Sequence, residues 1–160
     1  MVHIATGADA AAHSVGDMAA PSVLVLVGPS AVGKTYLAGQ LTQQVPGTVT
    51  VGTYAGPAEQ VPLLVEALAQ GCGLAIITLN QRPNVFAAAI AQATGVMPHL
   101  GWMIEPDATN DAVDRAAAQA SETPGFASWC VLHRCSAAPD QLHLAAASEG
   151  ATWTDNLALA

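Results

Sequence analysis

Basic side chains are scarce in this chain. Only four of its 160 residues are lysine or arginine, against twelve aspartates and glutamates, so the formal net charge is −8. A protein that coats a nucleic acid needs a basic surface to neutralise phosphates, and four cations do not provide one. Nucleic acid is therefore a disfavoured partner. The four cations are Lys34, Arg82, Arg115 and Arg134.

Cysteines and long apolar runs are also in short supply. The three cysteines form no Cys-x-x-Cys pair, which argues against a disulfide framework or a structural zinc site. No apolar run approaches the roughly 20 residues that cross a bilayer, so we expect a cytoplasmic protein without a membrane span. Residues 1–20 lack the basic start and apolar stretch of a signal peptide. We interpret them as a flexible leader or an edge strand.

The apolar fraction is 52% with a mean hydropathy of +0.39, which suffices for the core of a single domain over residues 21–160. Apolar, β-branched runs predict strands at Ser22–Val27, Thr48–Tyr54, Gly73–Leu79, Leu100–Ile104, Ser128–His133 and Gln141–Ala147. Helical spacing predicts helices at Lys34–Gln44, Pro57–Gln70, Asn84–Thr94 and Asn110–Ser121. This alternation predicts an α/β fold of three layers, with a mostly parallel sheet and an antiparallel hairpin at the C-terminus.

A phosphate-binding motif follows the first predicted strand. The pattern G-x-x-x-x-G-K-[ST] is matched by Gly28, Pro29, Ser30, Ala31, Val32, Gly33, Lys34 and Thr35. Glycines let the backbone amides of such a loop approach the phosphates, and the helix N-terminus adds favourable charge. Lys34 would contact the β- and γ-phosphates, and the Thr35 hydroxyl would ligate Mg²⁺. The expected cofactors are ATP or GTP with Mg²⁺.

The acid that usually accompanies this motif is missing from the expected strand. Gly73–Leu79 is followed by Asn80 and contains Thr78 but no aspartate. Asn80 is a candidate γ-phosphate sensor. The next strand is followed by Glu105, which is the best candidate carboxylate because ligands of open α/β sheets sit at the carboxyl ends of strands. Asp107 is more simply interpreted as a helix N-cap.

The remaining cations and histidines allow further assignments. Arg82 follows the third strand and is a candidate for stabilising charge in cis, whereas Arg134 would reach the nucleotide of a neighbouring subunit. Arg115 is expected to pair with Asp111 one helical turn away. His99 is expected in a loop. His133 and His143 are expected on the two strands of the C-terminal hairpin, where they would pack against each other. The turn of this hairpin is predicted at Ser136–Asp140.

The motif and its flanking strand and helix resemble those of P-loop NTPases. The segment LVLVGPSAVGKTYLAGQL is similar to the opening of guanylate-kinase-like and other small kinases. The order of the predicted elements, ending in WCVLHRCSAAPDQLHLAA, resembles instead the RecA-like, hexameric RNA-packaging NTPases of double-stranded RNA bacteriophages. In that family an aspartate would stand at Thr78 and a sensor asparagine near Glu105.

Three functions remain open from the sequence. The leading hypothesis is Mg-dependent ATP hydrolysis by a RecA-like homo-oligomer in which a neighbouring subunit completes the site; this oligomer could act as a nucleic-acid motor. The second is a small kinase that transfers the γ-phosphate to a nucleotide or metabolite, with Glu105 or Asp107 orienting the acceptor hydroxyl. The third is a nucleotide-binding module without catalytic activity.

Overall fold

The structure is a computed structural model that describes residues 22–29, 33–44, 47–53, 56–80 and 82–148. Within these ranges the strands are β1 (Ser22–Val27), β2 (Thr48–Thr53), β3 (Leu74–Leu79), β4 (His99–Ile104), β5 (Ser128–Cys135) and β6 (Ala138–Ala147). The helices are α1 (Lys34–Gln44), α2 (Pro57–Ala69), α3 (Pro83–Thr94) and α4 (Asn110–Glu122). The leader expected at residues 1–20 lies outside the described residues.

The six strands form one sheet in the order β2-β3-β1-β4-β5-β6. The pairs from β2 through β5 are parallel, and β5 pairs with β6 in the antiparallel sense. The predicted α/β architecture, with a mostly parallel sheet and a C-terminal hairpin, is therefore confirmed. β1 lies inside the sheet and is buried along its whole length, as its continuous apolar sequence predicts.

The helices cover both faces of the sheet unequally. The connection from β1 to β2 runs in one direction across the sheet, while the connections to β3, β4 and β5 run in the other. Because parallel crossovers are right-handed, α1 must lie on one face and α2, α3 and α4 on the other. Two core clusters agree with this: Leu24 and Leu26 of β1 pack with α1, whereas Val23 and Val25 pack with the other three helices.

Two sequence predictions are wrong at the strand ends. His99 was expected in a loop but begins β4, where its Nδ1 lies 2.6 Å from Ser128 Oγ of the neighbouring strand.

The hairpin turn was placed at Ser136–Asp140, but β6 already begins at Ala138. The ladder pairs Cys135 with Ala138 and then Arg134 with Leu142, so β6 is irregular between these pairs. A strand with such an irregularity tolerates a proline, which cannot donate to the ladder.

The expected histidine pair is confirmed on the hairpin. His133 of β5 lies opposite His143 of β6, and their rings stack with centroids 5.6 Å apart.

In the part of the chain that the structure describes, no helix has the length and apolar character required to cross a membrane.

Candidate functional site

The carboxyl ends of β1 and β4 form a crevice at one edge of the sheet. These neighbouring strands are followed by connections that leave in opposite directions, α1 towards β2 and α4 towards β5. Open α/β sheets bind their ligands where the connections diverge in this way. Gly28 follows β1 and Glu105 follows β4, so the topology brings the phosphate-loop motif and the candidate carboxylate to the same crevice.

Lys34 lies at the centre of this edge. Its side chain is only 3% exposed, and its Nζ donates hydrogen bonds to the carbonyl oxygens of Gly28 and Pro29, the latter at 3.0 Å. A third bond, 2.8 Å long, joins Nζ to Oδ1 of Asn80 beyond the end of β3. The ammonium therefore sits where β1 and β3 end, surrounded by oxygen atoms. Burial lowers the pKa of Lys34 from its ordinary value, because the charged form loses hydration.

The described parts of the loop are joined to β3 and to α1 by backbone hydrogen bonds. Gly28 extends the pairing of β1 with β3, since its N–H donates to Leu79 O at 3.2 Å. Gly33 has φ +102°, a conformation that L side chains rarely adopt. Its carbonyl accepts from Leu37 N at 2.9 Å and so starts the first turn of α1. The expected loop residues Ser30, Ala31 and Val32 lie outside the described residues.

Arg134 covers the loop of its own chain. A Cβ added to Gly33 would lie 2.9 Å from Arg134 Cδ, and the guanidinium carbon lies 5.6 Å from the centre of the Tyr36 ring. The arginine was expected to serve a neighbouring subunit. The structure places its side chain beside Gly33 and Tyr36 of the same chain.

Two hydroxyl groups bear on whether Mg²⁺ fits the site. Thr35 is exposed at the start of α1, as its expected role of metal ligand requires. Thr78 is fully buried in β3 and its Oγ1 has no hydrogen-bond partner, so a polar atom without a partner lies two residues before Asn80. Among the described residues, no group of three or more His, Cys, Asp or Glu side chains is placed to hold a metal ion. The residues therefore fit Mg²⁺ that arrives with a nucleotide, because Mg²⁺ keeps several waters and takes phosphate oxygens as ligands.

Glu105 lines a cleft of about 450 Å³ between the loop and α4. Pro29 of the phosphate loop lies at one side of this cleft, and Trp102 and Ile104 of β4 lie at another. Glu105 is exposed, so it faces solvent and any molecule that enters. The candidate carboxylate is thus beside the loop, as expected, although Thr35 and Thr78 do not line this cleft.

Asp107 has a different role from the one expected. The N-cap of α4 is Thr109, whose side chain accepts from Ala112 N at 3.2 Å. Asp107 instead accepts from Ser136 N at 3.0 Å, and its own N–H donates to Arg134 O at 2.9 Å. Hydrogen bonds from Ser136 lower the pKa of this carboxyl. Asp107 therefore connects the loop after β4 to the hairpin that carries Arg134.

The other two arginines lie along the same side of the sheet. Arg82 is exposed at the N-terminus of α3 with φ 60° and ψ 51°, two residues beyond Asn80. It lines a second depression, which shares Trp102 and Gln119 with the cleft of Glu105. Arg115 was expected to pair with Asp111, but the structure describes no such ion pair, and Arg115 lines the larger cleft.

Three contributors were missed by the sequence reasoning. Tyr36 directly follows the motif and supports Arg134, but nothing in the sequence connects the two residues. Trp102 lies within a predicted strand, which gives no sign of its place at the site, yet it is half-buried and forms a wall of the cleft. Arg115 could have been found, because it shares one helical face with Ala112, Ala116 and Gln119, which have the three- and four-residue spacing of neighbours on a helix.

In comparisons with known proteins, no protein-family model, no curated protein and no solved structure matches this chain.

Proposed function

We propose that this protein binds a Mg²⁺–nucleoside triphosphate, ATP or GTP, at the loop Gly28–Thr35 and catalyses hydrolysis of its terminal phosphate. The observation that carries the proposal is the position of the Lys34 ammonium. It is buried where β1 and β3 end, and its partners include two loop carbonyls and the amide of Asn80. A phosphate oxygen that displaced a carbonyl would be a stronger partner, because it adds the attraction between two opposite charges to the hydrogen bond.

The chain supplies the other parts of a phosphoryl-transfer site. Thr35 would ligate Mg²⁺, and Thr78 would hold a metal-bound water from the buried side. The metal, when bound, neutralises charge on the phosphates. Arg134 lies over Gly33 and would face the transferred phosphate, while Asn80 orients Lys34. Glu105 or a water that it binds would receive the proton of the attacking water.

The proposal is tested first by binding. We expect wild-type protein to bind a fluorescent ATP analogue in the presence of Mg²⁺, and Lys34→Ala to lose that binding and all phosphate release. Gln43→Ala, an exposed substitution later in α1, is the matched control and should bind as the wild type does. Unchanged binding by Lys34→Ala would refute the proposal, because this is the one lysine of the chain.

The position of Arg134 bears on the expected oligomer. The sequence predicts a homo-oligomer because the chain alone lacks charge-stabilising residues. Arg134 lies near Gly33 and Tyr36 of its own chain, so in this proposal it would act on the nucleotide of the same subunit.

Phosphate transfer to a small molecule is the second candidate function. It is favoured by the cleft of about 450 Å³ that Glu105 lines beside Pro29, because volumes of this size are typical of sites for small organic molecules.

A further inference from the structure

The backbone at Arg134 lies where the regular pairing of β5 ends. The parallel ladder between β4 and β5 ends with the pair of Ile104 and His133, one residue before Arg134. On the other side of β5, Arg134 pairs with Leu142, but the register with β6 shifts directly after this pair. On its β4 side, the strand that carries Arg134 towards Gly33 is therefore held by contacts beyond the ladder.

Asp107 supplies two such contacts from the segment that connects β4 to α4. Its backbone N–H donates to Arg134 O at 2.9 Å, and its carboxylate accepts from Ser136 N at 3.0 Å. The side chain of Ser136 also donates a hydrogen bond to this carboxylate. One residue of the connecting segment thus binds the hairpin both at residue 134 and at residue 136.

The backbone of Asp107 has an unusual conformation. Its φ is +53°, and among the described residues Arg82 is the only other non-glycine residue with a positive φ. Aspartate and asparagine adopt this left-handed conformation more readily than other side chains do. Such conformations cluster at functional sites, where the surrounding structure holds them in place. Asp107 also lines the cleft of Glu105, so one short segment carries the candidate carboxylate and contacts the strand of Arg134.

From these contacts we propose that Asp107 is a positioning residue of the phosphoryl-transfer site, which holds Arg134 beside Gly33. It acts through Arg134 and does not touch the nucleotide. The proposal rests on the proposed nucleotide binding and hydrolysis, and it adds the residue on which the placement of the arginine depends. Such placement matters, because a shift of about 1 Å at a catalytic group can cost about 10²-fold in rate.

Two substitutions separate the carboxylate from the backbone conformation. Asp107→Gly removes the hydrogen-bond acceptor, but glycine adopts a φ of +53° without strain, so this variant should fold. Asp107→Asn keeps an oxygen that can accept from Ser136 N, and asparagine also tolerates this conformation. Asp114→Asn, which removes an exposed carboxylate of α4, is the matched control for the loss of charge.

The position of Arg134 is measured without nucleotide. The chain has three arginines, so protein labelled with ¹⁵N-arginine gives three Nε–H signals in an NMR spectrum, and Arg134→Ala identifies the signal of Arg134. The ring current of Tyr36 shifts this signal, and Tyr36→Leu shows its position without the ring. We expect Asp107→Gly to move the signal most of the way to the Tyr36→Leu position. Asp107→Asn and Asp114→Asn should leave it in place.

Turnover shows whether this position matters for the reaction. Asp107→Gly should lower kcat for phosphate release by about 10²-fold but change the Kd of a Mg²⁺–ATP analogue by less than about twofold. In the Arg134→Ala background the same substitution should change kcat by less than about twofold, because two residues that act through one contact are not additive. Asp107→Asn should restore most of the activity that Asp107→Gly loses.

Three results would overturn the inference. The first is an Arg134 signal that stays in place in Asp107→Gly, and the second is a signal that Asp107→Asn moves equally far. The third is an equal loss of kcat from Asp107→Gly with and without Arg134. Failure of the proposed function has a different signature, since the wild type would then not bind the ATP analogue, while the arginine signals would still decide whether Asp107 holds Arg134.

Discussion

The guanidinium of Arg134 lies over the ring of Tyr36, and the central guanidinium carbon is 5.6 Å from the centre of that ring. An arginine at this distance from an aromatic face is attracted by the ring quadrupole. Tyr36 is on the first turn of α1 and Arg134 is on β5, so the contact holds a cation beside Gly33, the residue that precedes α1.

Removal of this cation should impair turnover much more than binding. We expect Arg134→Ala to reduce phosphate release by about 10³-fold, the lower end of the effect of arginines that stabilise phosphoryl transfer. A mixture of Lys34→Ala and Arg134→Ala proteins distinguishes cis from trans action. Because each chain would lack one element of its own site, the mixture should remain inactive. Recovery of activity on mixing would show that Arg134 serves another subunit.

Substitution of the glycine that precedes α1 and of the glycine in the middle of α1 should have opposite effects on stability. Gly33→Ala puts a Cβ 2.9 Å from Arg134 Cδ at a φ of +102°, so we expect it to lower the free energy of unfolding by about 1 kcal/mol or more. Gly39→Ala is the control, since Gly39 is helical and has no atom within 4 Å of the added Cβ. It should raise stability by about 0.5–1 kcal/mol. Urea denaturation measures both values, and equal effects at the two positions would contradict the loop geometry.

The buried hydroxyl of Thr78, which has no hydrogen-bond partner, should destabilise the fold and contribute to the binding of Mg²⁺ with the nucleotide. Thr78→Val removes a buried polar group without a partner, so the free energy of unfolding should rise by about 1 kcal/mol. The same change should weaken the dependence of nucleotide binding on Mg²⁺, because the hydroxyl would no longer hold a metal-bound water. Thr48, at the start of β2, also has a buried hydroxyl without a partner. Thr48→Val should therefore stabilise the fold but leave the Mg²⁺ titration unchanged.

The lowered pKa of Lys34 predicts a dependence of stability on pH. The folded protein releases this proton at a lower pH than the unfolded chain, whose lysine has the ordinary value of 10.5. Between these two values the unfolded chain binds more protons, so stability should rise with pH. The difference in unfolding free energy between wild type and Lys34→Met isolates the effect. It should shift in favour of wild type as the pH rises towards 10.5, while ATP binding weakens because the amine loses its charge. A difference that is flat with pH would show that burial does not perturb this group.

The positions of the elements were largely predictable from the sequence. β1 and α1 begin and end at the predicted residues, because a continuous β-branched run and the Pro46-Gly47 break are strong local signals. The hairpin turn was not predictable in the same way. Pro139 suggested a turn, whereas pairing with β5 brings the residue before it into the strand. Tertiary pairing outweighed local propensity there.

The site was only partly accessible to sequence reasoning. The motif predicts Lys34 and Thr35 as site residues, because the spacing within the loop is local. The contacts of Lys34 with Asn80 and of Arg134 with Gly33 join residues 46 and 101 positions apart, and only the strand order creates them. The sequence showed four cations but no arrangement. The fold places Lys34 and Arg134 at the loop, Arg115 in the cleft of Glu105, and Arg82 in the second depression.

The burial of β1 has a consequence for how ligand binding would be detected. A strand buried on both faces and paired on both sides exposes its amides only when the whole domain unfolds, so these amides should show the slowest hydrogen exchange. The phosphate loop begins at Gly28, which extends the pairing of this strand with β3. A ligand held there can be released by global unfolding as well as by simple dissociation. Binding should therefore slow exchange throughout β1 by the factor 1 + [L]/Kd, which makes the core of the sheet a quantitative reporter of occupancy at its edge.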